Sequence, residues 1–219
     1  MSNKPADAHW WGYAALPEGM EYPYTVDDNP MHLVCQFHLD EGMVYVFADL
    51  DYFFGDLEAE GGHLGEWNEV FYKVLYSPTR ENLHEHEVVD EHGKPAVPAA
   101  QTMDEPAKRG EESAVLCHPH CYYDELEGDF PGYQVLLELD ECEPLGLRFY
   151  DCGMLFFLIR PDDLSARRFD RVKCALYSFW QVHLQQVQLL QAVRMLRQKS
   201  LSISYLNNLW YLAYLSFQP

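Results

Sequence analysis

Positively charged residues are scarce in this 219-residue chain, which carries 15 Lys and Arg against 35 Asp and Glu. The formal charge of -20 at pH 7 argues against nucleic acid as a partner, because phosphate binding needs clustered cations. It argues equally against anionic membrane surfaces as partners of residues 1–179. Between Pro5 and Tyr72 there is no Lys or Arg at all, while Asp and Glu recur throughout. This stretch has two interpretations: a solvated acidic face, or a surface that meets a basic protein or ligand.

The common catalytic motifs are also absent. The chain has no Gly-x-Ser-x-Gly turn for a nucleophile, no Gly-Lys-Ser loop for a phosphate and no Gly-x-Gly-x-x-Gly turn for a dinucleotide. No apolar signal peptide opens the chain, and no stretch of the first 179 residues is long and apolar enough to span a bilayer. Its six cysteines are scattered. We therefore expect a cytoplasmic protein with reduced thiols and no cofactor.

Two segments about a hundred residues apart resemble each other. In each, an apolar strand ends in acidic residues and a second strand opens with Gly-Met; the first copy covers 32–47, and the second covers 134–141 and 153–159. Self-similarity of this kind indicates a duplicated architecture. It places Gln36 and Glu138 at the same position of each copy. Aromatic residues make up 15% of the chain, which favours a fold rich in strands.

Local patterns predict the elements of each copy. Residues 9–31 are rich in Pro, Gly and aromatic residues, which predicts an irregular loop, and 78–113 predict a long loop with weak strands. A short helix is expected to begin at Pro161, with acidic residues in its first turn. Alternating and β-branched residues predict strands over 32–39, 42–48, 70–77, 133–139, 147–150, 153–160 and 171–178.

The composition changes sharply after Phe179, since the segment from Trp180 to Pro219 contains no Asp or Glu. Apolar residues recur every three or four positions over 180–199, which predicts a helix. We therefore predict a domain over 1–179 and a C-terminal helical tail over 180–219. Four roles stay open for this tail: a helical hairpin packed on the domain or a partner, an accidental extension of the reading frame, a membrane-surface segment, or a transmembrane helix.

Several of these motifs resemble those of the YwqG-like family, a bacterial domain of unknown function. The resemblance covers about residues 9–179 and implies an α+β fold, mostly antiparallel sheet, built as two related halves. It implies no reaction and no cofactor. Ala14 and Glu138 depart from the family pattern, which has Pro and Gln at these places. The motifs that carry the resemblance are Gly12–Gly19, Val34–Phe37, Gly42–Phe47, Leu136–Asp140, Asp151–Phe157 and the acidic turn Asp163–Asp170.

Polar residues in or beside apolar strands are the candidates for a binding site. Glu138 stands in the apolar run 136–139, where a carboxyl group must be paired or lose its solvation energy. Our hypothesis is that Gln36, Glu138 and Asp151 converge in a cleft at the junction of the two halves, with Trp11 as a wall. Glu138 also fits a buried structural hydrogen bond or simple exposure, and Trp11 also fits core packing of the N-terminal loop.

Two clusters rich in histidine are candidates for metal ligands. Cys117-His118-Pro119-His120-Cys121 contains thiolates and imidazoles, which bind zinc well. Five consecutive residues cannot easily surround a tetrahedral ion, however, and we expect a packed turn. His84-Glu85-His86-Glu87 alternates two faces of an extended segment, and we expect a polar loop. We therefore predict no metal site.

These observations favour a non-catalytic cytoplasmic binding protein whose acidic surface meets a basic protein, such as a toxin that it neutralises. The alternative is an enzyme or ligand-binding domain for a small polar molecule in the cleft between the halves. No residue is assigned a catalytic role.

Overall fold

The structure of the chain is a computed structural model that describes residues 7–59, 62–90, 92–103, 113–150 and 152–178. The tail predicted over 180–219 lies outside the described residues, so the predicted domain boundary stays a prediction. Short 3₁₀ helices lie at Asp51–Phe54, Glu69–Phe71, Glu143–Leu145 and Phe169–Arg171. The strands and α-helices are β1 (His9–Trp10), β2 (Ala14–Pro17), β3 (His32–Leu39), β4 (Gly42–Ala48), β5 (Gly65–Glu66), β6 (Tyr72–Ser77), β7 (Leu83–His86), β8 (Gln101–Thr102), β9 (Ala114–Val115), α1 (Tyr123–Asp129), β10 (Gln134–Asp140), β11 (Met154–Ile159), α2 (Pro161–Ser165) and β12 (Lys173–Tyr177).

Two antiparallel sheets of five strands make up most of the fold. The strand order is β6-β4-β3-β1-β8 in the first sheet and β5-β12-β11-β10-β9 in the second, while β2 and β7 pair separately. This arrangement confirms the predicted α+β fold dominated by antiparallel sheet. Among the described residues, no helix is long and apolar enough to cross a bilayer.

The two sheets contain the same three-stranded meander. In the first sheet β3, β4 and β6 follow one another, and in the second β10, β11 and β12 do so. Gln36 is paired with Tyr45 on the neighbouring strand, and Glu138 is paired with Phe156 at the equivalent position. The three strands of the meander therefore correspond one to one, and Gln36 and Glu138 are equivalent, as the sequence predicted.

A shared irregularity supports the duplication. The register between β3 and β4 shifts between Leu33 and Cys35, and the register between β10 and β11 shifts between Val135 and Leu137. These shifts fall at the same distance from Gln36 and Glu138 in the two strands. A β-bulge is a specific feature of a strand pair, so its repetition at one register position indicates a common origin.

Short helices also recur at equivalent places. The 3₁₀ helix Asp51–Phe54 follows β4, and α2 follows β11. The 3₁₀ helix Glu69–Phe71 leads into β6, and Phe169–Arg171 leads in the same way towards β12. These short helices are therefore repeated in both connections, whereas β5, which lies between β4 and β6, has no counterpart between β11 and β12.

One face of each sheet is buried in an apolar core that the two halves share. The hydroxyl of Tyr72 in the first sheet donates a hydrogen bond across this core to the carbonyl oxygen of Val172, at 2.9 Å. Within the described residues, apolar side chains therefore fill the junction between the halves. The residues that meet there occupy equivalent positions: Val44, Val46 and Ala48 on β4, and Leu155, Phe157 and Ile159 on β11.

The opposite, outer face of each sheet is covered by a different part of the chain. In the first half, residues from β2 and from near β7 pack on β4; in the second half, α1 and the residues after it pack on β11. Burial on both faces explains why β4 and β11 are continuous apolar runs without alternation. The covering residues are Leu16, Tyr22 and Val88 in the first half, and Leu126 and Phe130 in the second.

Three local predictions were wrong. Residues 9–31 contain β1 and β2, because β1 pairs with β3, and tertiary pairing outweighs the turn-rich composition. Residues 147–150 form no strand, since Leu147 makes only an isolated bridge to Cys142. The strand predicted from residue 70 begins at Tyr72 because a 3₁₀ helix precedes it.

Gly42 and Gly153 stand immediately before the Met residues of β4 and β11 and allow a close approach of backbone. A Cβ atom on Gly153 would overlap the carbonyl oxygen of Phe149, and one on Gly42 would overlap the carbonyl oxygen of Ser77. Neither position leaves room for a side chain, so both copies keep the glycine for the same steric reason.

Gly153→Ala is expected to lower the free energy of unfolding by about 1–3 kcal/mol, because the backbone at Phe149 must move to accept the methyl group. Gly128→Ala in α1 is the matched control: no atom lies within 4 Å of its new Cβ, and Ala favours the helix. Urea unfolding followed by circular dichroism measures both. Equal stability of the two variants would contradict the steric account.

Candidate functional site

Gln36 is fully buried, and both ends of its amide are used. Its Oε1 accepts a hydrogen bond from the Ala15 peptide N–H at 3.0 Å, and its Nε2 donates to the carbonyl oxygen of Asp7 at 2.9 Å. Tyr45, paired with Gln36, donates from its hydroxyl to the carbonyl oxygen of Ala15 at 2.7 Å. Gln36 therefore holds the N-terminal segment on the outer face of the first sheet.

Glu138 is also fully buried, and its carboxyl group contacts His120. Oε2 accepts a hydrogen bond from the His120 peptide N–H at 3.2 Å, and Oε1 contacts Nδ1 of the same residue. When Glu138 is ionised its carboxylate only accepts hydrogen bonds, and the imidazole then donates from Nδ1. Glu138 thus anchors the segment around His120 on the outer face of the second sheet, which is the structural hydrogen bond that the sequence left open.

The structure does not bring the predicted site residues together. Gln36 and Glu138 lie on the outer faces of different sheets, with the shared apolar core between them. Trp11 is 3% exposed and packs in that core, with its ring 5.9 Å from the ring of Phe54. Asp151 lies outside the described residues. The cleft expected at the junction of the halves is absent from this part of the chain, because apolar side chains fill that space.

The two histidine clusters are built into the fold. In the described segments, no three His, Cys, Asp or Glu side chains come together as a metal site. His84–His86 belongs to β7, which pairs with β2, so this cluster is a strand and not the polar loop that was expected. The side chains of the segment 117–121 contact separate partners: Cys117 Sγ is 3.9 Å from the carbonyl oxygen of Ala114, the His118 ring stacks 6.0 Å from Tyr123, and Cys121 Sγ is 3.8 Å from Met154 Sδ.

A pocket of about 420 Å³ is lined by the segment 116–119, by α1 and by the start of β10. The rings of Tyr123, Phe130 and Tyr133 line it, and Glu127 supplies a carboxylate. A lining of aromatic rings with a few polar groups is typical of sites for small molecules. The pocket is therefore a candidate ligand site, on the outer side of the second sheet.

Two buried residues with an unpaired polar atom in the described part of the chain stand near the end of β4, since His32 pairs with Ala48 and Asp49 follows it. Asp49 follows this strand and is 3% exposed, and Asp51 begins the 3₁₀ helix that comes next. His32, 7% exposed, has its Nδ1 3.4 Å from Oδ1 of Asp51. Oδ1 of Asp49 and Nδ1 of His32 have no hydrogen-bond partner among the described residues. A buried polar atom is ordinarily satisfied by a hydrogen bond, which makes this end of β4 a candidate site.

Other acidic side chains surround the carboxyl group of Asp49. Burial, followed by the charge of Asp51, raises the pKa of Asp49 to about 6, and the charges of Asp27 and Asp56 act in the same direction. Burial lowers the pKa of His32 to about 4, so this imidazole is neutral at pH 7. In the described part of the chain, no Lys or Arg forms an ion pair with any of these groups. We refer to Asp27, His32, Asp49, Asp51 and Asp56 as the acidic cluster.

Sequence reasoning missed the acidic cluster. The signal available was the stretch without Lys or Arg from Pro5 to Tyr72, which marked the region but none of its residues. An acid that follows a strand is ordinarily exposed, so the burial of Asp49 depends on tertiary packing that one sequence does not display.

Asp49→Asn is expected to raise the free energy of unfolding at pH 7.5 by about 1–2 kcal/mol, because it removes a buried charge that has no cationic partner among the described residues. The pKa of about 6 in the folded protein exceeds the ordinary value for Asp. The wild-type protein therefore loses stability as the pH rises from about 4 to about 6, and the advantage of the variant shrinks towards pH 4.

Denaturant titrations at pH 4, 5, 6 and 7.5 measure this difference. The control is Glu58→Gln, which neutralises an exposed acid nearby and should change the free energy of unfolding by less than about 0.5 kcal/mol. An Asp49→Asn variant that is destabilised at pH 7.5 would show that the carboxylate is structurally paired.

Part of the chain is similar to a known protein family. Among curated proteins, none matches this chain. The segment from β6 to β12 does match a family model, whose description assigns no activity. A DUF1963 domain, described as a domain of unknown function, is therefore found at residues 72–177.

Proposed function

We propose that the chain is a non-catalytic, cytoplasmic binding protein whose acidic surface engages a basic protein. The observation that carries this proposal is the acidic cluster, where buried and exposed acids stand together without a cationic partner in the described residues. The stretch from Pro5 to Tyr72, which contains the cluster, has fourteen acids and no Lys or Arg. A partner that brings cations to this surface supplies the countercharge that these acids lack among the described residues.

Electrostatics explains how such a protein acts. A net charge of -20 attracts basic proteins over distance and raises the rate at which they associate. Inhibition by binding needs no catalytic residues, so we favour a toxin with a basic surface as the partner. We also infer from the motifs over residues 9–179 that the chain is similar to the bacterial YwqG-like family, for which no reaction is established.

The full chain, immobilised and exposed to lysate of the organism that encodes it, is expected to retain a protein rich in Lys and Arg. Retention should fall sharply between 50 mM and 500 mM salt, because counterions screen the attraction. The double variant Asp51→Asn/Asp56→Asn should weaken binding of the purified partner at least fivefold, since it removes two charges of the acidic cluster.

The matched control is Glu81→Gln/Glu87→Gln, which removes two exposed acids outside the cluster. Surface plasmon resonance with the purified partner compares the two double variants. Retention of no basic protein, or equal weakening by both double variants, would overturn the proposal.

A second function is favoured by the pocket of about 420 Å³ beside α1. Its aromatic rings and the carboxylate of Glu127 fit a small polar molecule with a flat apolar face. This hypothesis keeps the small-ligand alternative but moves the site from the junction of the halves to the outer side of the second sheet.

A thermal-shift screen of polar metabolites tests this second function. A ligand at a hundred times its Kd adds about 2.7 kcal/mol to the free energy of unfolding, so a clear rise in Tm is expected. Glu127→Gln should reduce the rise, and Asp124→Asn, on the same helix but not lining the pocket, should leave it unchanged. A screen without hits, or an unchanged response of Glu127→Gln, would exclude the pocket as a ligand site.

A further inference from the structure

We propose that a pocket on the outer face of the first sheet, around His9, binds the ammonium group of a small primary amine. The pocket has a volume of about 220 Å³ and is separate from the one beside α1. Sites for drug-sized molecules are larger, so the ligand of this pocket is compact. The inference does not depend on the proposed basic partner, because His9 and Glu85, which carry it, lie outside the acidic cluster. We refer to this cavity as the His9 pocket.

Four separate segments of the chain line the His9 pocket. They are β1 with His9, the residues before β2 with Tyr13, β7 with Glu85, and the apolar segment 95–100. The strand register brings them together. His9 pairs directly with Gln36, and residues that face each other on paired strands lie on the same face of a sheet. This is the outer face, where β2 and β7 form the covering ribbon, so the cavity lies between the sheet and its cover.

The apolar wall of the pocket is fixed before any ligand binds. The peptide N–H of Ala96 donates to the carbonyl oxygen of Val88 at 2.9 Å, and the carbonyl oxygen of Pro98 accepts from the N–H of Gly12 at 3.0 Å. β8, which begins directly after the segment 95–100, pairs with β1. Backbone hydrogen bonds therefore hold this wall along its length, and a pocket formed in advance is typical of sites for small molecules.

The imidazole of His9 is buried and held in one tautomer. Its Nδ1 lies 2.7 Å from the carbonyl oxygen of Trp11. A carbonyl oxygen only accepts, so this hydrogen bond places a proton on Nδ1. Burial lowers the pKa of His9 in spite of this hydrogen bond and of the charges of Glu85 and Asp7, so the ring is neutral at pH 7.5. Nε2 of the neutral ring carries a lone pair and is the atom that accepts a hydrogen bond from a ligand.

The polar side chains of the pocket match a ligand that donates hydrogen bonds and carries positive charge. Nε2 of His9 accepts, and the carboxylate of Glu85 accepts and is negative. The charge of Glu85 acts on the His9 ring itself, since it raises the pKa of His9 against the effect of burial. No Lys or Arg of the described segments lines the cavity, and Tyr13 is the lining residue whose side chain donates. A carboxylate or phosphate ligand is therefore disfavoured, whereas an ammonium offers three N–H donors to these acceptors.

The remaining lining suits a short hydrocarbon body. Two prolines, one valine and two alanines of the segment 95–100 supply most of it, and Tyr13 adds an aromatic ring. Burial of methylene groups against such a surface is favourable, while the ammonium contacts the two acceptors. A primary amine on a butyl to benzyl group combines these two properties and is small enough for the cavity.

The second half shows that the repeated strand pair does not require this histidine. β9 pairs with β10 in the way that β1 pairs with β3, so Ala114, opposite Glu138, is equivalent to His9, opposite Gln36. Alanine has no polar side chain, and the same pairing forms with it. The imidazole is therefore a property of the His9 pocket and not of the duplicated unit.

The test uses the full chain, labelled with ¹⁵N and titrated at pH 7.5 and constant ionic strength with n-butylammonium chloride. Long-range ¹H–¹⁵N spectra should show His9 protonated at Nδ1, and its Nε2 signal should shift and saturate as the amine is added. Two probes with the same hydrocarbon chain, neutral 1-butanol and anionic butyrate, should bind at least tenfold more weakly. A proton on Nε2 of His9, the absence of a saturable shift, or equal binding of either probe would overturn the proposal.

Glu85→Gln should weaken the binding of n-butylammonium at least fivefold. Glu85 is exposed on β7, so this variant removes the charge without disturbing the core. The matched control is Glu87→Gln, which neutralises an exposed acid two residues further along and outside the pocket, and it should bind as the wild type does. His9→Ala, which introduces the residue of the second half, should abolish saturable binding. Equal affinity of Glu85→Gln and the wild type would overturn the site even if His9→Ala does not fold.

Discussion

The apolar core shared by the two sheets is the constraint on which the rest of the molecule depends. Equivalent faces of the two halves are buried against each other, with Val46 on β4 and Phe157 on β11 at matching positions. Because apolar side chains occupy the inner face of each sheet, polar groups lie on the outer faces or at the ends of strands. Gln36 and Glu138 lie on the outer faces, and Asp49 lies at the end of β4.

The two halves share a three-stranded meander and its register, but they differ at equivalent residues. Gln36 and Glu138 each anchor a covering segment, but their chemistry differs. An amide both donates and accepts, so Gln36 bonds one N–H and one carbonyl group. An ionised carboxylate only accepts, and both contacts of Glu138 are with His120, through its peptide N–H and its Nδ1. Gln36 and Glu138 therefore hold different partners from equivalent positions of the two sheets.

The sequence predicted what local patterns determine and missed what tertiary packing determines. Strand positions, the repeated Gly-Met and the equivalence of Gln36 with Glu138 followed from apolar runs. The faces of those side chains did not, because a strand buried on both sides shows no alternation that distinguishes inside from outside. The coverings of the outer faces come from turn-rich segments whose pairing depends on distant residues. For the same reason the residues adjacent to Asp49 in the sequence do not predict its burial.

The central claim is that the carboxyl group of Asp49 is buried and has no cationic partner among the residues that the structure describes. A carboxyl ¹³C NMR titration of the full chain measures this property directly, since the side-chain signal of Asp49 reports its own protonation. The account predicts a midpoint near pH 6, raised by burial and by the charge of Asp51. A midpoint at or below about 4, the ordinary range for Asp, would contradict it, because such a value requires a partner that already stabilises the charge.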